Sequence, residues 1–441
     1  MSRLKVLAIA FACNPAVGSE YGVGWGWVRA IAARHDVTVI TADFNSRDID
    51  RTLEANEVGT PNNLRFVYVR NRPWHYRPEG MWLRIEASLA KPVMNLAYRD
   101  WLGYAFTEAK REIKQNDYDL VHLITYVAWR LPGPFYRLGI PFVWGPIGGL
   151  KNTSWRLLPA LGFRGAIYYG ARNLINSLQL MTLQEPRRAM SAAGKGLIAA
   201  TSEIQEALWN RFKVRSRVIC EVGPPDFVIV TPKRREEMLP LHICWSGTHL
   251  PGKALHLLLR AAASLPKDID YRIEILGDGP CNREWRMLAT RLNIGDRCHW
   301  YGWLPRSQSL AVMKDSHVFV ITSLKDLTST VAVEAVSLGL PVVCLDHCGF
   351  ADLITAQCGI KIYPGSVSKI ISALADALTA LYRDEALRQR LAEGAISRSH
   401  DYSWQRKMDS LDEIYNITLR SHANSSNENV TSLGPAADMT P

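Results

Sequence analysis

Apolar residues in this chain fall in short runs separated by amphipathic stretches, and the alternation is written twice. Lys5 to Phe11 reads as an apolar run, unbroken from Val6 on, the pattern of a strand buried on both faces of a parallel sheet. A small-residue loop, Asn14 to Ser19, comes next. Val23, Trp27, Ala30 and Ile31 then recur near helical spacing over Gly22 to Ala33, and Val37 to Thr41 reads as the second strand. Strand, glycine-containing loop, helix and strand make a βαβ unit, the opening of a doubly wound α/β sheet. Further strands are predicted at Leu64 to Val69, Asp119 to Thr125, Pro141 to Trp144 and Gly196 to Ala200, with helices over Leu102 to Gln115 and Ser202 to Arg211.

Near residue 220 the composition shifts. Gly223-Pro224-Pro225 and the charged stretch Pro232 to Glu237 read as an interdomain linker. The alternation then restarts. Strands are expected at His242 to Gly247, Tyr271 to Gly277, His299 to Tyr301, Val318 to Ile321 and Pro341 to Leu345. Helices are expected over Ala254 to Leu265, Glu284 to Leu292, Ser307 to Lys314 and Thr330 to Leu338. Helical patterns over Val367 to Glu393 and Ser403 to Leu419 close the chain. The expected organisation is a first Rossmann-like domain over 1–220, a second over 221–400, a helix over 401–420 packing back on the first, and a disordered tail over 421–441. Two such sheets joined by a linker enclose a cleft, and each binds ligands at the carboxyl ends of its strands.

A length of 441 residues agrees with two domains, and 47% hydrophobic with 21% charged residues is ordinary for a globular protein. The net charge of +10 points to anionic partners, among which nucleic acid, a membrane surface and phosphorylated substrates all fit. No apolar run reaches the length of a transmembrane helix, Leu4 to Ala12 is too short for one, and eight cysteines in a chain this long make no disulfide framework. The expected compartment is the cytoplasm. Residues 150–190 stand apart, with Trp155, Phe163, Tyr168 and Tyr169 among Lys151, Arg156, Arg164, Arg172, Arg187 and Arg188. Two readings of that stretch stay open: a lip that meets an anionic membrane or a lipid-diphosphate acceptor, or a plain helical insert.

The most informative chemistry lies in Ser323 to Ala335. It follows a strand and opens a helix, so the amides around Thr328, Ser329, Thr330 and Val331 point outward, where the helix dipole favours an anion. Asp326 sits in the loop and Glu334 about one turn into the helix, and carboxylates accept bonds from vicinal diols. A capped helix with incidental acids would have the same spacing.

This segment resembles the acidic signature of family 4 glycosyltransferases, in which two glutamates flank seven residues. Glu334-Ala335 with Gly339 and Pro341-Val342-Val343 downstream match it, while Asp326 takes the first acidic position and Leu327 that of a glycine. Gly247, with Lys253 following, is similar to the family's segment that holds the donor diphosphate, although Thr248 stands where the family has an arginine. Gly277-Asp278-Gly279-Pro280 and Tyr301-Gly302 resemble two further turns around the nucleotide. In the first half, Gly18-Ser19-Glu20 resembles the glycine-rich loop that closes on the donor phosphates. Asp119-Leu120-Val121-His122 resembles a strand end carrying an active-site histidine, and Trp144 to Gly149 a loop of a subgroup linked to exopolysaccharide assembly.

The resemblance implies the GT-B fold and retaining transfer of a hexosyl unit from a UDP- or GDP-sugar to a saccharide or lipid-linked acceptor. It implies neither metal nor other cofactor, and no nucleic-acid partner. Lys253 would steady the departing diphosphate, Glu334 hold the ribose, Asp326 orient the sugar, and His122 meet the reacting sugar or the acceptor, a buried structural histidine being the other open reading of His122. Two other readings are open: a non-hydrolysing nucleotide-sugar epimerase and a non-catalytic nucleotide-sugar-binding protein. Cys344, Cys348 and Cys358 beside His347 lack the paired spacing of a zinc site and read as buried cysteines.

Overall fold

The computed structural model describes residues 2–55, 63–70, 87–224, 231–236 and 239–431, without side chains over 87–95 and 425–431. In the first half the strands are β1 (Lys5–Ala10), β2 (Asp36–Ala42), β3 (Leu64–Val69), β4 (Leu120–Thr125), β5 (Phe142–Ile147), β6 (Leu197–Ala199) and β7 (Arg217–Val218). Helices α1 (Glu20–Ala32), α2 (Ser46–Glu54), α3 (Ala87–Gln115), α4 (Gly162–Thr182), α5 (Gln184–Ala193) and α6 (Ser202–Phe212) flank them. The sheet order is β3-β2-β1-β4-β5-β6-β7, and every pairing is parallel. Buried parallel strands need apolar side chains on both faces, which is why Val6 to Ala10 reads as an unbroken run and Leu120 to Ile124 is apolar but for His122.

The second half repeats the plan. Strands β8 (Leu241–Ser246), β9 (Tyr271–Leu276), β10 (Cys298–Gly302), β11 (Val318–Ile321), β12 (Val342–Leu345) and β13 (Gly359–Ile362) lie in the parallel order β10-β9-β8-β11-β12-β13. Helices α7 (Leu255–Ala263), α8 (Asn282–Arg291), α9 (Arg306–Lys314), α10 (Thr330–Ser337), α11 (Cys348–Leu353), α12 (Val367–Arg383), α13 (Glu385–Asp401) and α14 (Trp404–Thr431) follow. In each sheet the order reverses between the first strand and the fourth in sequence, so a crevice opens at the carboxyl ends of β1/β4 and of β8/β11.

Several elements differ from the sequence pattern. The two-residue β7 and four-residue β13 are too short to read as strands, and each pairs only because a sheet edge is already there. The single helix expected over Val367 to Glu393 is two. Asp384 interrupts it, and its carboxylate accepts the Leu387 N–H at 2.7 Å as an N-cap. Disorder from Ser421 gives way to helix as far as Thr431, because a docked helix extends at little cost per added residue; residues 432–441 lie outside the described residues. The 150–190 stretch is helical over α4 and α5.

Helix α14 crosses back onto the first sheet's layer. Asp412 pairs with Arg34 at 2.8 Å and His35 at 2.9 Å, and Trp404 packs edge-on to Trp27 at 6.0 Å. Glycine makes room for it: a Cβ on Gly26 would come within 2.6 Å of the Trp404 ring, and one on Gly223 within 2.3 Å. Among the described residues, no helix is long and apolar enough to cross a membrane.

Gly24 lets α1 approach the loop after β1. A Cβ there would fall 1.9 Å from the Ala12 carbonyl oxygen, a backbone atom that cannot step aside. Gly24→Ala is therefore expected to destabilise the first domain by about 1–3 kcal/mol, read as a lowered urea midpoint.

Candidate active site

The second sheet's switch point brings three loops together. After β8 the chain runs through Gly247, Thr248 and His249 into a 3-10 turn at Pro251–Lys253. After β9 comes Gly277-Asp278-Gly279. These loops touch backbone to backbone: a Cβ on Gly277 would lie 2.2 Å from the Gly247 carbonyl oxygen, and His249 N–H donates to the Asp278 carbonyl at 2.8 Å. Both glycines hold positive φ, +107° and +152° for Gly277 and Gly279, so they are needed twice over. Gly302, φ +68°, ends β10 and accepts the Gly277 N–H at 2.8 Å.

The third loop, between β11 and α10, carries the acids. Lys253 Nζ pairs directly with Asp326, and both side chains are about one-fifth exposed, at 24% and 20%. Asp326 Oδ1 also accepts its neighbour's amide, Leu327 N–H, at 3.1 Å. Ser329 occupies the N-cap position of α10 with extended backbone and no side-chain cap; Ala332 N–H donates to the Ser329 carbonyl at 2.9 Å, and the amides of Thr330 and Val331 precede any carbonyl the helix could offer them. Glu334, 5% exposed, accepts from Arg306 Nε at 2.8 Å. Arg306 opens α9 and is itself largely exposed, so one face of the pair meets solvent.

The expected site residues divide. Lys253, Asp326 and the loop 328–331 come together, with Glu334 paired to Arg306 on the helix that this loop opens. The Thr328 amide, expected to be free for an anion, is taken: it donates to Glu221 Oε1 at 2.9 Å. Thr248 is half-buried and carries no charge, and His249 does not stand in for the missing cation. His249 is fully buried beside Trp245, Trp285 and Trp300, with ring centroids 5.6, 5.1 and 5.9 Å away. Burial lowers its pKa to about 4, so it is neutral at physiological pH.

His122 is packed into the first domain's core. It lies in mid-strand, fully buried, with Nε2 2.8 Å from the Gly145 carbonyl and Nδ1 2.8 Å from the Tyr415 hydroxyl. A carbonyl only accepts, so Nε2 carries the proton and Nδ1 accepts from Tyr415. Burial lowers its pKa to about 4, partly offset by the Gly145 contact. Both nitrogens are hydrogen-bonded within the fold. Gly18 and Ser19 lie in the first domain before α1; a Cβ on Gly18 would meet nothing within 4 Å, and Ser19 has φ +58°.

The first domain reaches this site through contacts that the sequence pattern did not predict. Leu327 packs on Gly148, where a Cβ would lie 2.5 Å from Leu327 Cδ2, and Lys325 Nζ donates to the Lys151 carbonyl at 2.8 Å. Glu221 is an acid inside the apolar run Val218 to Val222, and that placement was the legible signal for it. Arg306 follows the Gly302 turn and had no such signal.

Residues 233–398 match the sequence model of the family described as "Glycosyl transferases group 1". The second domain belongs to that family. The D-inositol 3-phosphate glycosyltransferase of Corynebacterium glutamicum (strain R) is 26% identical over 212 residues, 45% of this chain and 47% of that protein. The lipopolysaccharide 1,6-galactosyltransferase of Escherichia coli (strain K12) is 29% identical over 185 residues, 40% of this chain and 50% of that protein. The chain thus spans about half the length of these curated relatives. An Anabaena protein crystallised with UDP and glucose superposes with a TM-score of 0.58 at 15% identity, over 94% of this chain and 100% of that one. Together with the two parallel sheets this establishes the GT-B fold. Within the glycosyltransferase domain, Lys253 and Asp326 occupy loops at the sheet's switch point and Glu334 lies on α10, while His122 lies within β4 of the first domain.

His122→Ala strands the Gly145 carbonyl and the Tyr415 hydroxyl in the core. It is expected to cost about 1–3 kcal/mol of stability while leaving nucleotide affinity within about twofold of wild type. Thermal melts and calorimetry separate the two; a large loss of affinity in folded protein would restore His122 to the site.

Proposed function

We propose that this protein is a retaining glycosyltransferase that moves a hexosyl unit from a UDP- or GDP-sugar to a saccharide or lipid-linked saccharide in cell-surface or exopolysaccharide synthesis. The observation that carries the reading is the Lys253–Asp326 pair beside the opening of α10, with Glu334 on the same helix. The family match over the same residues supports it, as does the fold it shares with a protein that holds UDP and glucose. Without donor, Lys253 and Asp326 neutralise each other. A diphosphate would draw Lys253 toward itself and free Asp326 for a sugar hydroxyl, while the Thr330 and Val331 amides at the start of α10 would donate to the charge that builds on the leaving group. Glu334, held by Arg306, would take the ribose hydroxyls. Retention of configuration rests on the family resemblance.

The same reading places the enzyme at the inner face of a membrane. On α4, Phe163 at 83% exposure, Ile167, Leu174, Leu178 and Met181 are solvent-exposed at spacings that keep them on one helix face. Arg164 and Arg172 share the helix, and no acidic residue occurs between Leu150 and Gln184. A broad apolar face flanked by cations fits an anionic lipid surface. The other side of α4 lies on the donor turn, where a Cβ on Gly165 would come 3.3 Å from Pro251.

Lys253→Ala and Glu334→Ala are each expected to lower turnover tenfold or more, about 1.4 kcal/mol or above. Thermal shift with UDP- and GDP-sugars identifies the donor. Near wild-type transfer by both folded variants overturns the assignment. For the membrane face, co-sedimentation with anionic vesicles should weaken as salt rises and fall sharply in Leu178→Glu. Indifference to lipid charge, or loss of a dimer in place of vesicle binding, overturns that part.

A further inference from the structure

Residues 220–223 form a strap between β7 and the linker, and its backbone is gripped from the first-domain side. Lys407 of α14, 4% exposed, donates Nζ to the Cys220 carbonyl at 2.7 Å and to the Val222 carbonyl. The Trp27 indole N–H of α1 donates to the Glu221 carbonyl at 2.8 Å, and Trp404 covers Gly223. From this anchored backbone the Glu221 side chain, also 4% exposed, crosses to the second domain and accepts the Thr328 N–H at 2.9 Å. Thr328 is the second residue after Asp326 and the second before α10. A cavity of about 400 Å³, lined in part by Cys220, Thr328, Gly349 and Lys407, lies against the contact.

We propose that Glu221 is a positioning residue: its carboxylate ties the loop carrying Asp326 to the hinge strap, and so sets the attitude of the donor loop toward the first domain. The proposal rests on the glycosyltransferase reading for its consequence in catalysis, but the tie itself does not. The Thr328 amide precedes a helix and has no intrahelical acceptor, so without Glu221 it is left unsatisfied beside a space into which the loop can move. An ionised carboxylate makes the stronger bond.

Three groups face Glu221. Lys407 on α14 favours the ionised form, Glu20 at the start of α1 opposes it, and the Cys220 thiol adjoins it at 3.8 Å. Burial outweighs the lowering by its own backbone amide, the Thr328 amide and Lys407, and pushes the Glu221 pKa up to about 7. The carboxylate is thus ionised above that pH and protonated below it, and the tie weakens as pH falls through it.

Amide exchange by mass spectrometry on the full chain, over residues 324–334, tests the tie without any donor. Glu221→Ala should raise exchange at Thr328 by about tenfold or more. In the wild type, protection corrected for intrinsic rate should fall from about pH 8 to about pH 6; in Glu221→Gln, which keeps an acceptor without a titrating charge, it should stay flat. Should Glu221→Ala fail to fold, Glu221→Gln carries the test. Unchanged protection in Glu221→Ala, or an undiminished pH dependence in Glu221→Gln, overturns the proposal. Calorimetry with UDP and GDP should show weaker binding by Glu221→Ala. If the wild type binds neither nucleotide, the donor reading falls, while the exchange result still decides the tie.

Discussion

The return of α14 across the hinge is the constraint on which the two-domain arrangement depends. Trp404 fills a space that exists only because Gly26 and Gly223 have no side chains, and Lys407 brings a buried ammonium to two strap carbonyls. A buried cation is costly unless its protons are satisfied. Here the backbone of the strap satisfies them, so strap and helix hold each other. Asp412 and Tyr415 carry the same helix on to Arg34, His35 and His122. The last helix is therefore part of the first domain's core, although it follows the second domain in the chain.

That arrangement explains how His122 comes to have a partner on each ring nitrogen. A histidine in the middle of a central parallel strand points into a layer of side chains, and α14 supplies the layer. With Tyr415 and the Gly145 carbonyl on its two nitrogens, the ring serves packing. The charges proposed to meet the donor gather elsewhere, at strand ends, where loops can present them to a cleft. Lys253 and Asp326 meet there from loops far apart in sequence, and their pairing lowers the cost of holding either charge in a half-buried place before a ligand arrives.

The first domain contributes to the same cleft through packing and backbone contacts more than through charged side chains aimed at it. Leu327 against Gly148 and Lys325 against the Lys151 carbonyl join the two halves at the donor loop. Leucine in place of the family's glycine at 327 is thereby explained: the side chain is an interdomain contact.

Periodicity alone determined the two parallel sheets, because strands buried on both faces must be apolar runs and the helices between them must be amphipathic. It also placed Lys253, Asp326 and Glu334 at strand ends and a helix start, since those positions follow from element boundaries. It left short elements such as β7 and β13 unseen, for two to four residues carry no period. Partnerships across long sequence separation were decided by tertiary structure. The occupation of His122 by Tyr415, of Glu334 by Arg306 and of the Thr328 amide by Glu221 depends on which surfaces the fold brings face to face. A buried polar group takes whatever partner lies within reach, and reach is a property of the folded chain.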